Sequence, residues 1–266
     1  MSLTFCPLYS GSSGNCTYVS DGTTGILIDA GLSGRQIIDA LAQIGVLPET
    51  LGGIVLTHEH ADHVKGAGVM SRRFHLPLYA NAGTWQGMPR QVGEIPAGLA
   101  RTFDTEVSFY IGGLAVQPFS IPHDANDPVG FRVYAGAHSV ATATDMGYVR
   151  RSVVDAVSGA DVVLWESNHD PDLLMRNPHY PSALKQRILG RRGHLSNEDS
   201  AKGVLSLLEN GVHHVVLGHL SGENNTPELA MDTSLRALER EGVAIGEEMT
   251  LYMAWRDHVG QEYDIG

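Results

Sequence analysis

Seven residues constrain this chain more than any others: Thr57, His58, Glu59, His60, Ala61, Asp62 and His63. Four potential metal ligands (His58, His60, Asp62 and His63) fall within six residues, directly after the apolar run Gly-Ile-Val-Leu at 53–56. A short, β-branched run of this kind reads as a buried strand. Its end is held rigidly, and a loop leaving it can turn several side chains toward one point. Imidazole nitrogen suits zinc, iron or manganese, and a carboxylate adds a harder ligand. The competing reading is a histidine-rich surface loop, which this spacing disfavours. Glu59, inside the motif, reads as solvated.

The rest of the chain alternates strands and helices. Strands are expected at 3–8, 16–20 and 25–29, with the small polar loop Ser10-Gly11-Ser12-Ser13-Gly14-Asn15 between the first two. Such a loop is either a flexible hairpin connection or a close backbone approach that holds phosphate. Ser33 caps a helix to about residue 44, with Ile37, Ile38, Leu41, Ala42 and Ile44 on its apolar face. Further strands are expected at 78–80, 107–111, 113–121, 130–135 and 138–144, with Asn81 as a cap and glycine turns at 112–113 and 135–137.

The second half repeats the plan. A helix at 152–157 precedes a strand at 161–164, which leads into Trp165-Glu166-Ser167-Asn168-His169-Asp170. After a helix at 181–189 comes Gly193-His194-Leu195-Ser196, where Ser196 and Asp199 fit a capping box for a helix to about 208. A strand at 214–217 ends in Gly218-His219-Leu220-Ser221-Gly222-Glu223-Asn224-Asn225. The last helix, 227–241, offers Leu229, Met231, Leu235 and Leu238 for burial, and 249–254 reads as a closing strand. Two more ligand candidates end apolar strands before turn residues, His123 and Asp145. Taken singly, either is equally a turn or capping residue. Periodicity alone places the chain in the α/β class, and with no linker or low-complexity stretch residues 1–266 read as one domain.

Composition narrows the partners. A chain of 266 residues can bury a sizeable core. No apolar stretch approaches the roughly 20 residues of a membrane-spanning helix, and the N-terminus lacks the pattern of a signal peptide. Cys6 and Cys16 have no metal-type spacing and read as buried, reduced thiols in a cytoplasmic protein. A formal net charge of −12 works against nonspecific nucleic-acid binding without excluding it. Lys185, Arg187, Arg191 and Arg192 nevertheless concentrate positive charge before His194. That run is equally a solvated helix face or a guide for phosphates.

His58-x-His60-x-Asp62-His63 resembles the signature of the metallo-β-lactamase fold, a two-metal hydrolase superfamily. The resemblance implies a four-layer αβ/βα sandwich, two facing mixed sheets with helices outside. It also implies two divalent ions (zinc, manganese or iron), the first on His58, His60 and His123, the second on Asp62, His63 and His219. Asp145 would bridge them. Two such ions roughly 3.5–4 Å apart share a hydroxide and clamp an in-line displacement.

The second half resembles ribonuclease Z and its phosphodiesterase relatives through Glu166, His194 and His219. It has neither the inserted domain of the β-CASP nucleases nor an evident transfer-RNA-gripping arm. What remains is similar, nearly end to end, to the small single-domain YycJ-like branch, associated with 5′ exonuclease activity on DNA. The resemblance thereby implies Asp62, His194 and Glu166 as catalytic residues, with His194 giving a proton to the leaving oxygen. Glu166 and His194 as plain capping residues are the competing reading. Ser12, Ser13, Asn15, Arg187, Ser221 and Asn224 are the expected substrate contacts, and DNA is the expected partner ahead of RNA. Two other functions stay open: a hydrolase of a small phosphodiester or cyclic nucleotide, and a metal-binding regulator without turnover. The net charge favours the small substrate, the cationic run the polymer.

Overall fold

Short apolar strands alternate with helices along the whole chain, and the computed structural model, which describes residues 2–266, sorts the strands into two mixed sheets of seven. The chain divides into two compact units. One runs to Ser120, takes up Ala125–Ser139 and ends with Trp255–Gly266; the other holds Ile121–Asp124 and Val140–Ala254.

In the first unit one sheet has the order Tyr263–Ile265, Leu3–Tyr9, Cys16–Ser20, Gly25–Ile28, Leu51–Val55, Leu78–Ala80, Ala100–Thr102. Its first three junctions are antiparallel and the others parallel. Cys16–Ser20 and Gly25–Ile28 are buried along their whole length, which is why they read as unbroken runs rather than alternating ones. The same unit contains the antiparallel meander Phe109–Ile111, Leu114–Ser120, Val129–Ala135. The helix Gly34–Gln43 carries a complete capping box between Ser33 and Gln36. It buries Ile37, Ala40 and Leu41, while Ala42, expected on that face, is exposed. At 100° per residue, 37, 40 and 41 form one stripe and 42 falls outside it.

In the second unit the strand His138–Ala143, from Val140 on, is followed in parallel by Val162–Glu166, His214–Gly218 and Thr250–Met253. Trp165 is fully buried beside Gly203, where a Cβ would stand 2.5 Å from the indole Cζ2. Only glycine leaves room for the ring there. The helix Pro227–Arg240 turns Ala230, Ser234 and Leu238 inward, and Leu229, expected to be buried, is 37% exposed. Small residues at positions 230 and 234 let this helix lie close to its neighbour Asn197–Glu209. Of the capping box expected at the start of that neighbour, the bond from the Asp199 N–H to Ser196 Oγ is present, at 3.1 Å.

Seven elements escaped the sequence pattern: the helices Ala61–Val64, Ala67–Phe74 and Pro171–Arg176, the single 3-10 turns Pro48–Thr50 and Arg90–Val92, and the strands Ala100–Thr102 and Tyr263–Ile265. Most are short. The strand Ala100–Thr102 is exposed throughout and shows no apolar alternation to read. No helix among the described residues is long and apolar enough to cross a membrane.

Candidate active site

In the first unit, the end of Leu51–Val55 delivers Thr57 and His58, and the short helix Ala61–Val64 carries Asp62 and His63. The His58 ring lies 4.6 Å from that of His60 and 4.1 Å from that of His63, centroid to centroid. His63 Nε2 is 3.5 Å from Asp62 Oδ2. All four motif residues therefore converge on one side of the loop. Glu59, expected to be solvated, instead accepts the Asn126 N–H at 2.9 Å.

Proton positions follow from the partners of the other ring nitrogens. Asp29 Oδ2 lies 2.7 Å from His63 Nδ1 and 2.9 Å from Thr57 Oγ1. A carboxylate only accepts, so His63 Nδ1 and the Thr57 hydroxyl both donate to it. Thr57 Oγ1, 3.0 Å from His58 Nδ1, then accepts from that nitrogen. Both imidazoles thus present the Nε2 lone pair, the arrangement metal-bound histidines commonly take, with a carboxylate or hydroxyl behind them. Asp29 has the same sequence signature as Asp145, an apolar strand, then a carboxylate and a glycine turn, and that signature is the signal for its supporting role.

The polar loop of residues 10–15 is tied to this motif. Asn15 donates its backbone N–H to Asp62 O at 2.8 Å, and its side-chain amide reaches Gly11 O at 3.1 Å and Asp62 O at 3.3 Å. The same nitrogen stands 3.1 Å from His63 Nε2. Close approach is possible because residue 31 is glycine: a Cβ there would lie 1.6 Å from Asp62 O. Ser12 and Ser13 are exposed on the loop, while Asn15 is buried and shapes it.

In the second unit, ligand atoms of His123, Asp145 and His194 lie within 4.8 Å of one another, as do those of Glu166, His194 and His219. His123 Nδ1 is 3.1 Å from Gly193 O; since a carbonyl only accepts, Nδ1 carries the proton and Nε2 the lone pair. That Nε2 is 3.7 Å from Asp145 Oδ1, and His219 Nε2 is 3.3 Å from the same oxygen. Two ligands on one tetrahedral ion, at roughly 2.0–2.1 Å each, stand about 3.4 Å apart. The donor set fits divalent metal ions in both chemistry and spacing, and such histidine–aspartate clusters suit two of them.

Asp29, Asp145 and His219 share an unusual backbone. Each follows a buried strand and takes a left-handed conformation, with φ of 63°, 63° and 55°. Only five non-glycine residues among those described do so, and these three are among them. Such strain is characteristic of residues that the surrounding structure positions for a task.

Glu166 ends the strand Val162–Glu166 and is fully buried. Its Oε1 lies 2.7 Å from His194 Nδ1, and its Oε2 accepts the Met146 N–H at 2.5 Å. The His194 side chain is 21% exposed. A buried carboxylate thus holds the Nδ1 side of a part-exposed imidazole. Gly147 keeps this corner tight, because a Cβ there would meet the Arg191 carbonyl carbon at 2.2 Å.

The remaining expected residues have mainly internal partners. Ser221 Oγ accepts the Asn224 N–H at 3.2 Å, and Asn224 Oδ1 accepts from Asn177 at 2.7 Å, which fixes the loop after His219. Asn168 holds that turn from the other side, donating to His219 O at 2.8 Å. Arg187 pairs with Asp124, Arg192 donates to His123 O at 3.0 Å, Lys185 donates to Met175 O at 2.7 Å, and Arg191 lies over the Tyr148 ring. These four lie on or just after the helix Ser182–Ile188, which buries no residue.

Comparison with known proteins agrees with this constellation. Residues 24–220 match the family described as the Beta-lactamase superfamily domain. Exodeoxyribonuclease WalJ of Streptococcus pneumoniae (serotype 2, strain D39) is 40% identical over 247 residues, 92% of this chain and 91% of that protein. Exodeoxyribonuclease YycJ of Bacillus anthracis is 37% identical over 252 residues, 95% of each chain. Among solved structures, the metallo-β-lactamase fold protein YhfI of Bacillus subtilis superposes with a TM-score of 0.73 over 99% of this chain and 100% of its own, at 15% identity. The chain belongs to the β-lactamase superfamily, in the group that includes the YycJ and WalJ proteins.

Proposed function

We propose that this protein is a metal-dependent phosphodiesterase that shortens DNA from its 5′ ends. His58, His60 and His123 would hold one divalent ion, Asp62, His63 and His219 a second, and Asp145 both; zinc, manganese and iron all suit these donors. When bound, two such ions supply Lewis acidity and make water nucleophilic near neutral pH. Asp62 would accept the attacking water's proton. His194, held through Nδ1 by Glu166, gives its Nε2 proton to the sugar oxygen as the phosphorus–oxygen bond breaks. Ser12, Ser13 and Arg187 are the proposed phosphate contacts, with Asn15, Ser221 and Asn224 shaping the loops beside them.

The observation that carries this reading is the Glu166–His194 pair at 2.7 Å, gathered with Asp145 and His219. A protein that only stored metal would have no use for an oriented, part-exposed imidazole there. Support for DNA comes from the relatives named exodeoxyribonucleases. The cysteines are not competing nucleophiles. Both are free and fully buried, and burial pushes the Cys6 thiol up to about 12 and Cys16 well above the usual thiol range. A cytoplasmic location, where DNA and reduced thiols coexist, completes the proposal.

A second reading, hydrolysis of a small phosphodiester, draws on the net charge of −12 and on the internal partners of Arg187 and Arg192. The two separate by incubating the protein and manganese with 5′-labelled DNA and RNA oligonucleotides, a cyclic nucleotide and bis-p-nitrophenyl phosphate. Stepwise DNA shortening supports the first reading. Turnover of small esters with intact oligonucleotides supports the second.

We also propose that the chain behaves as one domain, because the family match at 24–220 runs through segments of both units. One calorimetric unfolding transition is expected, and two would contradict it.

A further inference from the structure

The turn after Glu166 and the start of the helix Asn197–Glu209 enclose a pocket of about 400 Å³, lined by His169, Pro171, Leu189, His194, Asp199 and Lys202 among others. His194 forms one wall. His169 forms another, and it is unlike every other histidine of the site. It is 1% exposed, yet neither ring nitrogen has a hydrogen-bond partner among the described residues. Its backbone is firmly held: the His169 carbonyl accepts the Asn197 N–H at 2.9 Å, and the residue bridges to Ser196. A buried imidazole with two idle nitrogens is unfavourable unless something enters the pocket to serve them.

The lining says what that occupant is. Lys202 Nζ is bonded to Asp199 Oδ1 at 2.8 Å, and Glu198 adds a further carboxylate, so there is no surplus positive charge for a phosphate. Leu189 and Pro171 offer apolar surface. A flat, uncharged ring with donors and acceptors along its edge matches both properties. Burial and the nearby His194 push the His169 pKa down to about 4, which keeps this imidazole neutral and able to give one hydrogen bond and accept another.

We propose that this pocket receives the nucleobase of the nucleoside that departs on hydrolysis, with His169 reading its edge. The proposal rests on the phosphodiesterase reading above. In that reaction water's oxygen bonds to phosphorus, the bond to the sugar oxygen breaks, and that oxygen takes a proton from His194. The departing sugar therefore lies against His194, and its base has the adjoining pocket to enter. A volume of about 400 Å³ is near the small end of ligand pockets, roughly 300–1,000 Å³. It admits one nucleoside rather than a stacked pair, so single nucleotides are the expected product.

The test compares DNA oligonucleotides with an ordinary and an abasic 5′-terminal residue. The wild-type protein should show a KM roughly 10-fold or more higher on the abasic end. His169→Leu should raise KM on the ordinary end to a similar degree and leave the abasic substrate unchanged, with His169→Gln in between. Equal use of both ends by the wild type, or equal losses in His169→Leu, would overturn the proposal. A second readout needs neither metal nor variant: deoxyadenosine added to the metal-free protein should shift the His169 ring signals in a saturable way, and inorganic phosphate should not. If no oligonucleotide is cut at all, the DNA reading fails, and this titration alone decides the pocket: saturation supports a base site, and no shift refutes it.

Discussion

His194 Nδ1 stands 2.7 Å from Glu166 Oε1, and the second oxygen of the same carboxylate is taken by the Met146 N–H. One fully buried carboxylate thereby fixes both the ring of His194 and the turn that follows Asp145. The first consequence concerns the leaving group. His194→Ala should retain its metal ions and lose roughly 10²–10⁴ in rate, the usual range for general acid catalysis. The loss should shrink on a nitrophenyl ester, whose leaving group needs no proton. Equal losses on the ester and on DNA would make His194 a positioning residue.

Asp29 gives a test of the support behind a ligand. It accepts from His63 Nδ1 at 2.7 Å and from the Thr57 hydroxyl, which in turn supports His58. Asp29→Asn should lower metal affinity roughly 10–100-fold with little change in the fold, as is usual for partners behind a ligand. Competition with a chelator indicator measures it, and unchanged affinity would show that Asp29 serves the strand end instead.

The cationic run tests substrate size. If Lys185, Arg187, Arg191 and Arg192 meet phosphates, the fourfold change to Gln should raise the oligonucleotide KM. It should also flatten the salt dependence of binding by roughly 0.7 in slope per lost contact on single strands. Bis-p-nitrophenyl phosphate should be hydrolysed at close to the original rate. An unchanged salt slope would assign these side chains to their internal partners at Asp124, His123, Met175 and Tyr148, and move the small-substrate reading ahead.

Acid should weaken the fold through His169. Its folded pKa, about 4, is below the 6.5 of a free imidazole, so the unfolded chain takes up the proton first as pH falls. The associated stability is therefore intact above about pH 6.5 and is lost between there and pH 4. At pH 5 the linkage amounts to about 2 kcal/mol. Urea unfolding at pH 7 and pH 5 should show a smaller acid loss in His169→Gln than in the wild type by about that amount. Identical losses would mean that the native ring already binds its proton at pH 5.

Much of this site is legible without coordinates because its residues follow a simple rule: an apolar strand, then a polar residue, then a turn. His58, His123, Asp145, Glu166 and His219 all obey it. The left-handed backbone of Asp29, Asp145 and His219 is not legible, because it depends on hydrogen bonds made after the fold closes. Helix faces are read less well where small residues pack. Ala230 and Ser234 face inward and Leu229 outward because close approach of two helices outweighs the burial of one large side chain. His169 was visible only as a histidine near a motif; its idle nitrogens and its pocket needed the structure.

The account stands or falls on seven residues serving two ions, with Asp145 common to both. Elemental analysis of the purified wild type and of Asp145→Ala, side by side after gel filtration, tests that most directly. Two metal equivalents per chain are expected in the wild type, and both should be lost or loosened by the one substitution. A single tightly held ion in the wild type, kept unchanged in Asp145→Ala, would contradict the two-metal site.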